Sequence, residues 1–135
     1  MALICGEKML TVDKLDHLVL TVRSIAMTCS FYARVLGMEV VETEPGRKAL
    51  KFGDQKINLH EVGRELELRA HQPIPGSADL CFITRMPLQD VIAHLHACNV
   101  ELIAGPIQRM GARRKIYSIY LRDPDYNLIE LANYA

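Results

Sequence analysis

The segment SIYLRDPDYNLIELANY, residues 118–134, contains two strands and the reversal between them. Ser118, Tyr120 and Arg122 alternate with Ile119 and Leu121, the period of two that puts successive side chains on opposite faces of a strand. Asp123-Pro124-Asp125 interrupts it, because proline cannot donate to a ladder and Asp and Asn side chains bond their own backbone in tight turns. A return strand starts at Leu128. On it Leu128 and Glu130 share one face and Ile129 and Leu131 the other, so a carboxylate stands in a segment otherwise coloured as core. An edge strand facing water gives the same pattern, and so does a functional carboxylate.

Moving toward the N-terminus, residues 116–121 form the first of these strands, and the run 108–115, QRMGARRK, reads as a compact basic loop before it. Gly105-Pro106 reads as a break and residues 100–103 as a short strand. A helix begins at Pro87, runs through Val91, Leu95 and Cys98, and ends near Asn99, which tolerates left-handed geometry. Residues 79–84 precede it as a strand. Residues 63–77, with alternating charges, His71, two prolines and two glycines, form a connector. The first half shows the same order. Residues 17–22 alternate as a strand, Ser24 is placed to cap a helix through Ile25, Cys29, Tyr32, Ala33 and Leu36, and Gly37 is placed to end it. Strands at 38–42, 48–52 and 57–62 follow, separated by the Pro45-Gly46 and Gly53-Asp54 turns. Strand-helix-strand-strand-strand therefore occurs twice, as two modules at about 15–62 and 78–133, with residues 1–14 as an extension of a single domain spanning 15–135.

A chain of 135 residues suits one domain with a real interior. Lys plus Arg and Asp plus Glu both number 16, so no net field favours nucleic acid or an anionic membrane. No apolar run approaches the roughly 18 residues of a membrane span, and the opening MALICGEKML lacks the basic leader and long apolar core of a signal peptide. Cys5, Cys29, Cys81 and Cys98 are scattered without a CxxC pair, as expected of free thiols in a cytoplasmic protein.

The strand HLVLTV, the helix end FYARVLGMEV, the hairpin FGDQKINLH and the closing RDPDYNLIEL together resemble the vicinal oxygen chelate superfamily of glyoxalases, fosfomycin- and bleomycin-resistance proteins and extradiol dioxygenases. Among its members the chain is most similar to short glyoxalase-domain-containing proteins related to lactoylglutathione lyases. The resemblance implies an α+β fold of two βαβββ modules whose curved mixed sheets cup a metal, usually in a homodimer. It also implies ligands from the first and last strands of the modules, which fall on His17, Asp79 and Glu130. The fourth position aligns with Asn58. Because an amide neutralises charge poorly, His60, two residues on and on the same face, is expected to be the ligand and Asn58 a hydrogen-bonding neighbour that contacts substrate.

Imidazole with two carboxylates and open positions suits Ni, Mn, Zn, Co or Fe(II) and not a structural zinc. A divalent metal so held polarises a carbonyl or a pair of vicinal oxygens. Two departures bear on the reaction. An amide at residue 58 cannot take a proton as the family's glutamate does, leaving Asp79 or Glu130 as the catalytic carboxylate. Asp79 in place of histidine also breaks the two-His, one-carboxylate triad of dioxygenases. Tyr126 stands where relatives carry glycine in the turn. The basic run supplies Arg109 and Arg113, which with Tyr120 are expected to clamp an anionic substrate. The expectation is a metal-dependent lyase or isomerase acting on a small oxygen-rich molecule; the alternatives are a ring-cleaving dioxygenase and a drug- or metabolite-binding resistance protein.

Overall fold

The computed structural model describes Gly6 and residues 8–135; Cys5 lies outside the described residues. Residues 8–16 are exposed and carry no regular structure. Ten elements follow: β1 (His17–Val22), α1 (Ile25–Leu36), β2 (Glu39–Glu44), β3 (Arg47–Phe52), β4 (Gln55–Glu61), β5 (Asp79–Ile83), α2 (Leu88–Ala97), β6 (Ala104–Met110), β7 (Lys115–Arg122) and β8 (Leu128–Tyr134). They form two four-stranded mixed sheets, ordered β1-β4-β3-β2 and β5-β8-β7-β6. In each, the first strand runs parallel to the last and the remaining pairs are antiparallel. The repeated order read from the sequence is thus an α+β fold of two like modules. No helix among the described residues is long and apolar enough to cross a membrane.

Local chemistry explains the elements that the sequence announces. Ser24, in extended backbone at φ −145°, accepts a hydrogen bond from the Met27 amide at 3.2 Å and so caps α1. Gly37, at φ 68°, ends the helix in left-handed geometry where a side chain is strained. Thr28, Cys29, Tyr32 and Val35 form its buried stripe. The apolar faces of both sheets, including Leu20, Leu50 and Ile57 from the first and Ile119, Leu121 and Ile129 from the second, join both helices in one continuous core. Phe52 and Phe82 meet edge to face across the modules, with ring centroids 5.3 Å apart.

Three expectations fail between residues 100 and 115. Residues 100–103 are not a strand, and Gly105-Pro106 lies inside β6. Proline is tolerated because β6 is an edge strand and its register slips by a bulge between Ala104 and Ile107. Gly105, at φ 100°, is forced by proximity: a Cβ there would stand 2.4 Å from the Ser118 carbonyl oxygen. The basic run is no open loop either. It is the end of β6, a tight turn closed by the Gly111 amide on the Arg114 carbonyl at 2.9 Å, and the start of β7.

The DPDYN reversal does more than turn the chain. Asp123 Oδ1 accepts from the amides of Asp125 and Asn127, both at 2.9 Å, the local bonding expected of Asp in a turn. Its Oδ2 accepts from the Tyr32 hydroxyl at 2.7 Å, a bond to α1 in the other module, and from Asn127 Nδ2. Arg23 Nε donates to Asp125 Oδ1 at 2.9 Å, and the Ala78 amide donates to Asn127 Oδ1 at 2.8 Å. Asp123, Asp125 and Asn127 are all buried, so the loop fastens the end of β1, the helix α1 and the entrance to β5. Tyr126 completes the turn at φ 65° with its ring 71% exposed, and Glu130 keeps its register opposite Tyr120 and Cys81.

Candidate functional site

In each sheet the face away from the core carries the chemistry. On the first, β1 and β4 pair in register, His17 beside Lys56, Val19 beside Asn58 and Thr21 beside His60. Side chains of register partners project to the same side, so His17, Asn58 and His60 share this face. His17 Nδ1 bonds Asp16 Oδ1 at 2.7 Å. Since a carboxylate only accepts, Nδ1 is the donor in this bond and Nε2 is the ring nitrogen that remains for a metal, the arrangement that orients metal-binding imidazoles. The same bond holds the Asp16 carboxyl below the usual aspartate range. His60 is half-buried, and its Nδ1 is fully buried with no hydrogen-bond partner.

On the second face Asp79 and Cys81 of β5 lie beside Leu128 and Glu130 of β8, and Tyr120 of β7 lies opposite Glu130. Glu130 is half-buried. Its Oε2 accepts a 2.5 Å hydrogen bond from the fully buried Ser118 hydroxyl, leaving Oε1 open. Burial, and then the Glu130 carboxylate beside it, pushes the Cys81 thiol up to about 11, so this cysteine remains a neutral thiol near neutral pH. Arg109 Nε donates to the Tyr120 hydroxyl at 3.1 Å. A cleft of about 390 Å³ opens beside Arg109 and Glu130, lined by these two and by Cys81, Ile83, Ile116 and Tyr134 among others, while Tyr120 and Asp79 lie outside its lining. Its volume is in the range of small-molecule sites.

The expected residues therefore fall into two groups. His17, Asn58 and His60 share one sheet; Asp79, Glu130, Tyr120 and Arg109 share the other. Among the described residues of a single chain, no three His, Cys, Asp or Glu side chains are close enough to hold a metal ion. Arg113, in the β6–β7 turn, does not line the cleft. Its neighbour Arg114 stacks over the Tyr134 ring at 4.4 Å. Ser118 and Cys81 escaped the sequence reading as site residues. Ser118 had one signal, a hydroxyl on the face shared with Tyr120.

The donor set fits a divalent metal in kind. His17 is oriented by a carboxylate, Glu130 by a hydroxyl, and His60 holds an unsatisfied buried nitrogen. Asp79 adds an exposed carboxylate. None of these groups is soft, as suits a metal that retains open positions.

Comparison with known proteins agrees with the fold. The chain is 51% identical over 124 residues to the virulence protein STM3117 of Salmonella typhimurium, covering 92% of this chain and 86% of that one. The crystal structure of that protein superposes with a TM-score of 0.91 over 93% of this chain and all of the other. The glyoxalase domain-containing protein RDO1 of Mycosarcoma maydis is 50% identical over 128 residues, 95% of this chain and 72% of its own. The crystal structure of lactoylglutathione lyase from Agrobacterium tumefaciens, at 22% identity, shares the fold with a TM-score of 0.69 over 90% of this chain and 94% of that one. The family model described as the glyoxalase/bleomycin resistance protein/dioxygenase superfamily matches residues 14–131, nearly the whole of both modules, and the chain belongs to that superfamily.

Proposed function

We propose that this protein is a metal-dependent lyase or isomerase of glyoxalase type whose site is assembled between two copies of the chain. The observation that carries the reading is the pair of pre-oriented donors on open sheet faces: His17 fixed by Asp16, and Glu130 fixed by Ser118. A donor locked in one orientation pays less entropy on binding than a mobile one. The modules share a topology, and a two-fold axis that lays the first open face of one copy against the second open face of its partner makes two equivalent sites. Each would join His17 and His60 from one chain to Asp79 and Glu130 from the other.

A divalent metal held there would polarise the carbonyl or vicinal oxygens of a small substrate. The chain's own groups do the rest. Asn58, an amide, donates or accepts a hydrogen bond but takes no proton, so the proton moves through a carboxylate. Glu130 Oε1 and Asp79 are the carboxylate oxygens that face the open side. Arg109, steadied by Tyr120, offers its remaining N–H groups to an anionic part of the substrate. Tyr134 and Ile116 supply apolar wall and exclude water from one side of the cleft.

The test mixes two damaged proteins. His17→Ala and Glu130→Ala dimers, each deficient in binding Ni or Mn, are exchanged by mild denaturation and refolding. A shared site regenerates about a quarter of the wild-type binding capacity, because half of the random dimers are heterodimers with one intact site of two. Recovery of none, with exchange verified, defeats the shared site. If the undamaged protein binds none of Mn, Ni, Zn, Co or Fe(II) and gains no thermal stability from them, the protein is instead a metabolite-sequestering binder, since a ligand that binds only the folded state must stabilise it.

A further inference from the structure

A second cavity of about 340 Å³ lies where the modules meet. The end of α1 and the turn that follows it, through Val35 and Met38, form one side. Phe52 and Phe82 form the floor, and Val91 and Leu131 of the second module close it. Its volume is at the lower end of the roughly 300–1,000 Å³ of small-molecule sites, enough for one ring with a short chain.

The charges around it are one-sided. Among the described residues Arg34 is the only permanently charged side chain in the lining, and none of them is an Asp or Glu. Its Nη1 donates to the Cys98 carbonyl at 3.1 Å, anchoring the guanidinium at the mouth from the opposite helix end. Nε and Nη2, the side-on edge that matches a carboxylate bidentately, have no protein partner among the described residues. His94 donates its Nε2 proton to the Val35 carbonyl at 2.8 Å and so holds α1 and α2 together beside the opening. An apolar chamber with a single anchored, half-used guanidinium at its rim is complementary to an amphipathic anion.

We propose that this junction pocket binds a small apolar carboxylate, its ring or branched chain against Phe52, Phe82, Val91 and Leu131 and its carboxylate on Arg34. The pocket is separate from the metal-binding proposal and stands without it. It adjoins the Glu130 cleft, because Ile83 lines both. An occupant touches both modules and therefore stabilises their docking.

The experiment compares 3-phenylpropionate with the neutral 3-phenylpropanamide by amide-resolved NMR titration of the full chain. The acid shifts the amides of Val35, Met38, Phe82 and His94 and binds about tenfold more tightly than the amide, the worth of one hydrogen-bonded charge contact. Arg34→Met reduces that ratio to about one while leaving the amide's affinity unchanged, and Arg34→Lys, which retains the charge, keeps part of it. Shifts confined to the surroundings of Arg109 and Glu130, no shifts at millimolar acid, or an unchanged ratio in Arg34→Met would each overturn the proposal.

Discussion

Replacing Ser118 by alanine is expected to weaken divalent-metal binding by about 10- to 100-fold, the usual cost of removing a group that orients a metal ligand. Two independent features of the structure set this size. Ser118 is fully buried and its hydroxyl reaches one oxygen of Glu130 at 2.5 Å, so the serine fixes the carboxylate plane and leaves Oε1 to the open face. A hydrogen bond to a charged acceptor contributes about 1.5–3 kcal/mol, and a 10- to 100-fold change corresponds to about 1.4–2.8 kcal/mol, so the two agree. Alanine fits the space without overpacking. Glu130 is only half-buried and water can replace the lost donor, so fold stability should fall by about 1 kcal/mol and no more. The assay is calorimetric titration with Ni or Mn, alongside urea denaturation of the metal-free protein. Unchanged affinity in Ser118→Ala, with affinity abolished in Glu130→Gln, would show that Glu130 binds metal but needs no orienting hydroxyl. Unchanged affinity in both would remove Glu130 from the metal centre altogether.

Tyr32→Phe should cost about 1.5–2 kcal/mol by urea denaturation, at the low end for a bond to a charged partner because Asp123 keeps its three other donors. Burial, and then Asp123, raises the Tyr32 phenol above its ordinary value near 10, so the unfolded chain ionises first. The stability from this group is complete below about pH 10 and is lost at about 1.4 kcal/mol per pH unit above it. Denaturation across alkaline pH should show that slope reduced by one proton in Tyr32→Phe, and an identical slope would contradict the assignment. Tyr126→Gly should raise stability by about 0.5–1 kcal/mol, since left-handed backbone costs a side-chain-bearing residue about 1–2 kcal/mol and glycine returns part of that through its freer unfolded chain. A denaturation midpoint that does not rise would refute the strain. Arg109→Ala should raise the Michaelis constant for an acidic substrate at least tenfold over that for a neutral analogue, whereas Arg113→Ala, outside the cleft, should leave both unchanged. Equal effects of the two substitutions would dismiss the cleft as the anion site.

The repeated module was legible because its signals are local. Ser24 and Gly37 bound a helix by chemistry within a few residues, and the period of two in residues 17–22 and 118–122 needs no distant partner. Residues 100–115 failed for the opposite reason. Whether Gly105-Pro106 breaks a strand or sits inside one depends on how closely the Ser118 backbone approaches, and the basic run became a hairpin through pairing that its own composition does not encode. The turn chemistry of Asp123 was readable, but not its bond to Tyr32, which joins positions 91 residues apart. The site divides in the same way. Alternation gave the face of Glu130 and of His17, whereas the distance between those faces depends on how the two sheets pack, which no spacing rule reaches.

That bond from Tyr32 to Asp123 also has a kinetic consequence. In the first module alone the Tyr32 phenol lacks this acceptor and the helix lacks the core it shares with the second sheet, so each half is less stable apart than together. Two of the six strand pairings, β1 with β4 and β5 with β8, join strands that are remote along the chain, and their closure slows folding relative to a chain of hairpins alone. Folding should therefore be all-or-none, with fluorescence and far-UV signals decaying together in a single denaturation transition, and a fragment ending before residue 79 should remain unstructured.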